Sequence, residues 1–184
     1  MKKELGPEYY DTYSDHPLSP YWVNLYEKAI GLLPINPKIK IAELGCGPGL
    51  LAEFLYRKGY KNYWGVDFSE SCIEWAKKRV PSYQFEVGNL YGENIQRRFL
   101  DYDVFISLET FEHMANDLAV INAIPKGKEI IFSVPNRDDE VHVRYFLDPQ
   151  SVADRYSPII HFIFGQTVPG INGKKFYLIH GRKT

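Results

Sequence analysis

Two rhythms of apolar and polar positions alternate along this chain. Short apolar runs at Ile39–Leu44, Tyr63–Val66, Asp103–Ser107 and Glu129–Val134 have strand length, and the last two are apolar enough to be covered on both faces. Tyr83–Val87 alternates like a further strand. Between the runs, apolar residues recur at helical spacing. Leu50, Leu51, Phe54 and Leu55 form one such stripe, closed by Gly59. Ser19-Pro20 predicts a helix start, with the helix running to about Leu33 before Pro34. Ser69 predicts a capped helix with Glu70 early and Lys77, Lys78 and Arg79 late, as the helix dipole favours, and Pro81 ends it. A helix is expected from about Thr110 to Ala123, and Asp148-Pro149 can open another. Ile159–Phe164 and Lys175–His180 are the last predicted strands, joined as a loose hairpin by Pro169-Gly170-Ile171-Asn172-Gly173.

Repeated strand–helix units imply an α/β fold: a mostly parallel sheet with helices on both faces. A terminal hairpin makes one strand antiparallel. Such sheets bind ligands beyond the carboxyl ends of their strands, near the switch in strand order. Attention therefore falls on the loops after Leu44, Val66, Val87, Ser107 and Val134, each of which carries polar or glycine residues.

The length of 184 residues suits a single domain. Within it, residues 1–37 read as an N-terminal helical lid segment and 38–184 as the core. A net charge of −1 without a basic block argues against nucleic-acid and membrane partners. Met1-Lys2-Lys3-Glu4 leads into no apolar run, so no signal peptide is expected. Cys46 and Cys72 have neither metal nor disulfide spacing and suit a reducing cytoplasm. Tyr9, Tyr10, Tyr13, His16, Tyr21 and Trp22 crowd the first part of the chain, either as an aromatic surface helix or as a cover over an organic substrate.

The first strand runs into Glu43-Leu44-Gly45-Cys46-Gly47-Pro48-Gly49. Glycines there let a ligand approach the backbone closely. The spacing is Gly-x-Gly-x-Gly, not the Gly-x-Gly-x-x-Gly of dinucleotide sites. Glu43, two residues before the first glycine, would repel a pyrophosphate. Asp67 ends the second strand, 22 residues after Gly45, where an acid can accept both ribose hydroxyls. These two segments, Glu43–Gly49 and Gly65-Val66-Asp67-Phe68-Ser69, resemble the first two motifs of class I S-adenosylmethionine-dependent methyltransferases. The resemblance covers about four-fifths of the chain and is nearest to the methyltransferase domain of ubiquinone-biosynthesis O-methyltransferases. It implies a Rossmann-like three-layer sandwich whose seven-stranded sheet ends in an antiparallel strand. It implies S-adenosylmethionine as cofactor, in-line methyl transfer to a small-molecule acceptor, and Gly45, Cys46, Gly47 and Gly49 around the methionine part. Glu43 suits the cofactor's α-ammonium group. Asp67 would hold the ribose, and Phe68 would lie on the adenine. Asn89 and Leu90 replace the family's usual acid after the third strand; Asn89 can accept from the adenine amino group or serve only as a turn residue. Leu108 completes the cofactor set. A binding module without catalysis shares these motifs, and a nicotinamide-dependent oxidoreductase is the more distant alternative.

After the fourth strand comes Glu109-Thr110-Phe111-Glu112-His113. His113 and Glu112 are the candidate catalytic residues, His113 as a general base. No metal is expected there. Glu109, Glu112, His113 and His142 could nonetheless hold a divalent ion. This Glu-x-x-Glu-His pattern resembles two methyltransferase subgroups that use a metal, one acting on polyprenylated catechols and one on the terminal 2′-hydroxyl of small RNAs. Tyr9, Tyr13, His142 and Arg144 are candidate acceptor residues. Arg144 would either hold an acidic substrate group or pin its own loop through Asp138 or Asp139.

Overall fold

A computed structural model describes residues 3–10 and 19–184. The seven strands are β1 (Lys40–Leu44), β2 (Asn62–Asp67), β3 (Gln84–Val87), β4 (Val104–Leu108), β5 (Glu129–Pro135), β6 (Ile160–Pro169) and β7 (Lys175–Lys183). The helices are α1 (Pro7–Tyr10), α2 (Pro20–Gly31), α3 (Leu50–Arg57), α4 (Glu70–Arg79), α5 (Glu93–Arg97), α6 (Asp117–Ala123) and α7 (Pro149–Tyr156). Strand order across the sheet is β3-β2-β1-β4-β5-β7-β6. The pairs β1–β2, β1–β4, β2–β3 and β4–β5 are parallel, and β7 runs antiparallel to both neighbours. The expected α/β sandwich with an antiparallel last strand is therefore present. The order reverses between β1 and β4, so the crevice that can hold a ligand opens above those two strands.

Successive side chains of the central strands point to opposite faces and supply two cores. Ile41, Val104, Ile106 and Ile131 join Leu25, Leu51, Leu55 and Ile73 under α2, α3 and α4. Ala42, Phe105, Ile130 and Phe132 join Phe99, Phe111, Val152 and Tyr156 on the other face. Burial of strand residues on both faces explains their unbroken apolar runs.

Local signals mostly act as the sequence suggests. The Ser69 side chain accepts from the amide of Cys72, and Asp148 forms a reciprocal capping box with Ser151. Ser19 stands before a proline but makes no side-chain cap. The helix expected from Thr110 to Ala123 is not continuous. A single turn of 3-10 helix spans Phe111–His113, the chain extends at Met114, and α6 starts only at Asp117. Arg144 draws the break open. Its guanidinium donates to the carbonyls of Phe111, Met114 and Ala115, which a continuous helix would have used internally. Among the described residues no helix is long and apolar enough to cross a membrane.

Candidate functional site

The loop after β1 is built on left-handed glycines: Gly45, Gly47 and Gly49 have φ of 76°, 49° and 77°. Side chains other than glycine rarely hold this region. Space is also short. A Cβ on Gly45 would lie 2.5 Å from the Thr110 side chain, and one on Gly49 would lie 2.9 Å from Ala76 in α4. Gly45 thus lets the loop settle under Thr110, and Gly49 lets α3 start against α4. The two strand ends are tied together here. Gly47 N–H donates to Asp67 Oδ2 at 2.9 Å, while Ser69 N–H donates to Asp67 Oδ1 at 3.0 Å. Burial raises the Asp67 pKa against the opposing pull of these amides.

Glu43 is buried below the loop and accepts from the Tyr63 hydroxyl at 2.5 Å. Burial lifts its pKa to about 8, with the tyrosine hydrogen bond acting the other way. A carboxyl group of this kind gains from a cation brought next to it.

One cavity of about 550 Å³ begins at this loop and runs along the carboxyl ends of the strands. Glu43, Gly45, Cys46, Gly47, Asp67, Phe68, Asn89, Leu90 and Leu108 line its first part. Gly49 does not reach the wall, which agrees with its contact on Ala76. The Asn89 amide oxygen accepts from Tyr91 N–H at 2.9 Å, the geometry of a turn residue. Tyr10 lies over Phe68, ring centroids 5.3 Å apart, and against His113 at 5.7 Å. Glu4 holds this N-terminal stretch down, accepting from Ala115 N–H at 2.8 Å and Tyr91 O–H at 3.0 Å.

The second part of the cavity is lined by Glu109, Glu112, His113 and His142. Glu109 has φ 52° and is anchored by Ser133, whose hydroxyl donates to its carboxylate at 2.8 Å. Glu112 is fully buried, and neither of its carboxylate oxygens has a hydrogen-bond partner among the described residues. An unpaired charge there is costly, and burial together with the Glu109 charge raises its pKa well above the usual carboxylate range. His113 Nδ1 lies 3.1 Å from the Val141 carbonyl and His142 Nδ1 lies 3.1 Å from that of Arg137. Each Nδ1 therefore carries the proton, and each Nε2 keeps a lone pair. His113 Nε2 stands 3.6 Å from Glu112 Oε1. Burial, reinforced by His142, lowers the His113 pKa to about 4, so its ring is neutral near pH 7. The ligand atoms of Glu112, His113 and His142 come within 4.8 Å of one another.

Other sequence-predicted residues lie elsewhere. Tyr13 and His16 fall outside the described residues. Tyr9 is exposed beside Tyr10 and does not line the cavity. The Arg144 guanidinium faces backbone carbonyls and Asp117, 3.4 Å away, rather than the cavity. It pins its loop through Asp117, and among the described residues no ion pair joins it to Asp138 or Asp139. Asp117 is fully buried and also accepts from Arg155 and from Tyr156 O–H at 2.7 Å. Sequence reasoning passed over Tyr26, Arg137, Lys174 and Phe176, all on the cavity wall. The one sequence signal in the terminal hairpin is the Lys174-Lys175-Phe176 run directly after its turn.

Residues 41–125 match the family model described as a methyltransferase domain. Over 153 residues the chain is 26% identical to a ubiquinone biosynthesis O-methyltransferase of Acinetobacter baylyi, covering 76% of this chain and 62% of that protein. The chain thus spans about three-fifths of the length of the curated relatives it matches. Among solved structures, it resembles the N-methyltransferase NodS of Bradyrhizobium japonicum in complex with S-adenosyl-L-homocysteine: TM-score 0.71, 14% identity, 90% of this chain and 88% of that one. It also resembles the [4+2]-cyclase SpnF: TM-score 0.67, 10% identity, 86% and 80% covered. Both likenesses concern the fold, and the cyclase shows that the fold alone does not dictate the reaction.

Proposed function

We propose that this chain transfers the methyl group of S-adenosylmethionine to a small-molecule acceptor, a reading supported by the match of residues 41–125 to the methyltransferase-domain model. The observation that carries this reading is the continuity of one cavity from the Gly45–Gly49 loop and Asp67 to the Glu112–His113 turn. In this reading Asp67 accepts from the ribose hydroxyls, Phe68 lies on the adenine and Glu43 answers the cofactor's ammonium group. The sulfonium methyl is already activated, so the protein's main task is alignment. The acceptor's lone pair forms the new bond to carbon, the S–CH₃ bond breaks, and its electron pair stays on sulfur. The proton released by the acceptor goes to His113 Nε2, whose neutral ring is the base present at neutral pH. Tyr10 and the stretch held by Glu4 exclude water above Phe68. Cys46 and Cys72 are both buried and form no disulfide with each other, which fits the cytoplasm.

A second reading rests on Glu112. A buried carboxylate without a partner, beside two imidazoles whose Nε2 lone pairs are available, is a donor set that fits a divalent cation. Glu112, His113 and His142 would hold it, and such an ion supplies Lewis-acid polarisation of an acceptor hydroxyl.

Calorimetric titration with S-adenosylhomocysteine, beside NADH and with and without EDTA, tests both readings. Micromolar binding of S-adenosylhomocysteine alone is expected, and Asp67→Ala should weaken it at least tenfold while the fold survives. A preference for NADH, or unchanged affinity in the variant, sinks the cofactor assignment. A rise in melting temperature with Mn²⁺ or Zn²⁺ that His142→Ala abolishes would carry the second reading; no shift would dismiss it.

A further inference from the structure

The cavity has a cationic wall that methyl transfer itself does not require. Lys174, at the end of the β6–β7 turn, places its ammonium 4.0 Å from Asp139 Oδ2. Arg137, in the loop after β5, places a guanidinium nitrogen 3.5 Å from the same oxygen. Two cations therefore share one carboxylate oxygen. The two segments are held in register. Asn136 N–H donates to the Lys175 carbonyl at 3.0 Å, and Lys175 N–H donates to Asn136 Oδ1 at 2.7 Å.

Lys174 and Arg137 both line the cavity, so the two cations stand where an acid entering from outside can reach them.

Beside it the wall turns aromatic. The rings of Trp22 and Phe176 lie 5.5 Å apart at 33°, and Tyr26 adjoins Trp22 at 5.9 Å. A Cβ on Gly170 would sit 3.1 Å from both Lys174 Cβ and the Phe176 ring, so cation and ring share one short stretch of wall. A flat apolar body against the rings and an acidic group on the cations would satisfy both features.

We infer that this wall is the acceptor subsite, and that it selects a small aromatic carboxylic acid: the ring lies along Trp22 and Phe176, and the carboxylate pairs with Lys174 and Arg137. The inference rests on the methyltransferase reading, because it takes the remainder of the cavity to hold the cofactor. Charge pairing at a partly buried site gives selection between an acid and its neutral isostere, which aromatic contact alone does not.

The test separates the two levels. Protein saturated with S-adenosylhomocysteine, in EDTA so that no metal can hold the acid, is titrated with 4-hydroxybenzoate and with 4-hydroxybenzamide by ligand-observed NMR. The acid should bind at least fivefold tighter than the amide. Lys174→Gln should remove most of that preference, and Lys174→Arg should restore it. Equal binding of the two probes, or binding of neither to the loaded protein, overturns the inference while leaving the cofactor reading intact. So would a tenfold loss of S-adenosylhomocysteine affinity in Lys174→Gln, which assigns the ammonium to the cofactor's own carboxylate. Failure of the unaltered protein to bind S-adenosylhomocysteine is a different result: it removes the methyltransferase reading, and the inference falls with it.

Discussion

The two halves of the cavity are built by different means. The half around Gly45–Gly49 is shaped by backbone: left-handed glycines, two amides fixed on Asp67, and strand ends only a few residues apart in sequence from the groups they present. The half around Glu112 is shaped by side chains gathered from β4, β5, the 137–144 loop, α2 and the terminal hairpin. The first rests on backbone conformation and on close packing of small residues, Gly45 under Thr110 and Gly49 against Ala76. The second depends on distant ties, chiefly the Asp117–Arg144–Arg155–Tyr156 network that holds the Phe111–His113 turn out of a helix. A feature made from backbone geometry resists tuning; one made from side chains invites it.

If that contrast is right, the largest effect comes from the network. Asp117→Ala leaves Arg144 and Arg155 without their common buried partner, a loss of about 3–5 kcal/mol, or roughly 6–20 °C in melting temperature for a chain of this size. S-adenosylhomocysteine affinity at a temperature where the variant is folded should change little, because the glycine loop does not rest on Asp117. A parallel collapse of cofactor binding would show that the halves are one unit.

Gly45→Ala should come next. It forces a left-handed alanine whose Cβ meets Thr110 at 2.5 Å, costing about 2 kcal/mol, and it should lower S-adenosylhomocysteine affinity as well. Adding Thr110→Ala should recover the steric part but not the backbone part. Full recovery in differential scanning calorimetry would deny the conformational contribution.

The smallest effect is in pH. Glu43 has its folded pKa raised to about 8, and Glu109 and Glu112 are raised too, so the native state keeps protons that the unfolded chain has already lost. Stability of the ligand-free protein should then fall as pH rises from about 6.5 to 8, with Glu43 alone accounting for about 1–2 kcal/mol. The histidines act in the opposite direction, but only below the unfolded value near 6.5, since their folded pKa values are lowered. Glu43→Gln should flatten the slope; a melting temperature that rises across this interval would contradict the buried-acid account.

The same contrast explains what could be read from the chain. The glycine loop, Glu43, Asp67 and Phe68 were legible because their residue types and spacings stand in two short segments, 43–49 and 65–69. The strands were legible because burial on both faces leaves unbroken apolar runs. The Thr110–Ala123 segment misled, because its spacing is helical and the cause of the break, Arg144, lies about 30 residues later. Lys174, Arg137 and Phe176 escaped for a similar reason. Nothing near them in sequence reveals that Asn136 ties their two loops together. Arg144 itself was weighed as a substrate ligand, and its engagement with three carbonyls could be found only in three dimensions.

The contact between Gly49 and Ala76 bears on how this chain can drift over time. Neither residue has room to grow, since a single carbon added to Gly49 would come within 2.9 Å of Ala76, closer than unbonded carbons pack. A larger residue at either site must wait for helices to separate, and that separation would carry Gly47 away from Asp67. Inherited change is therefore free to rewrite the outer faces of α3 and α4 while these two small residues hold their inner spacing. Two descendants could share almost no surface and still close the same loop over the same ligand.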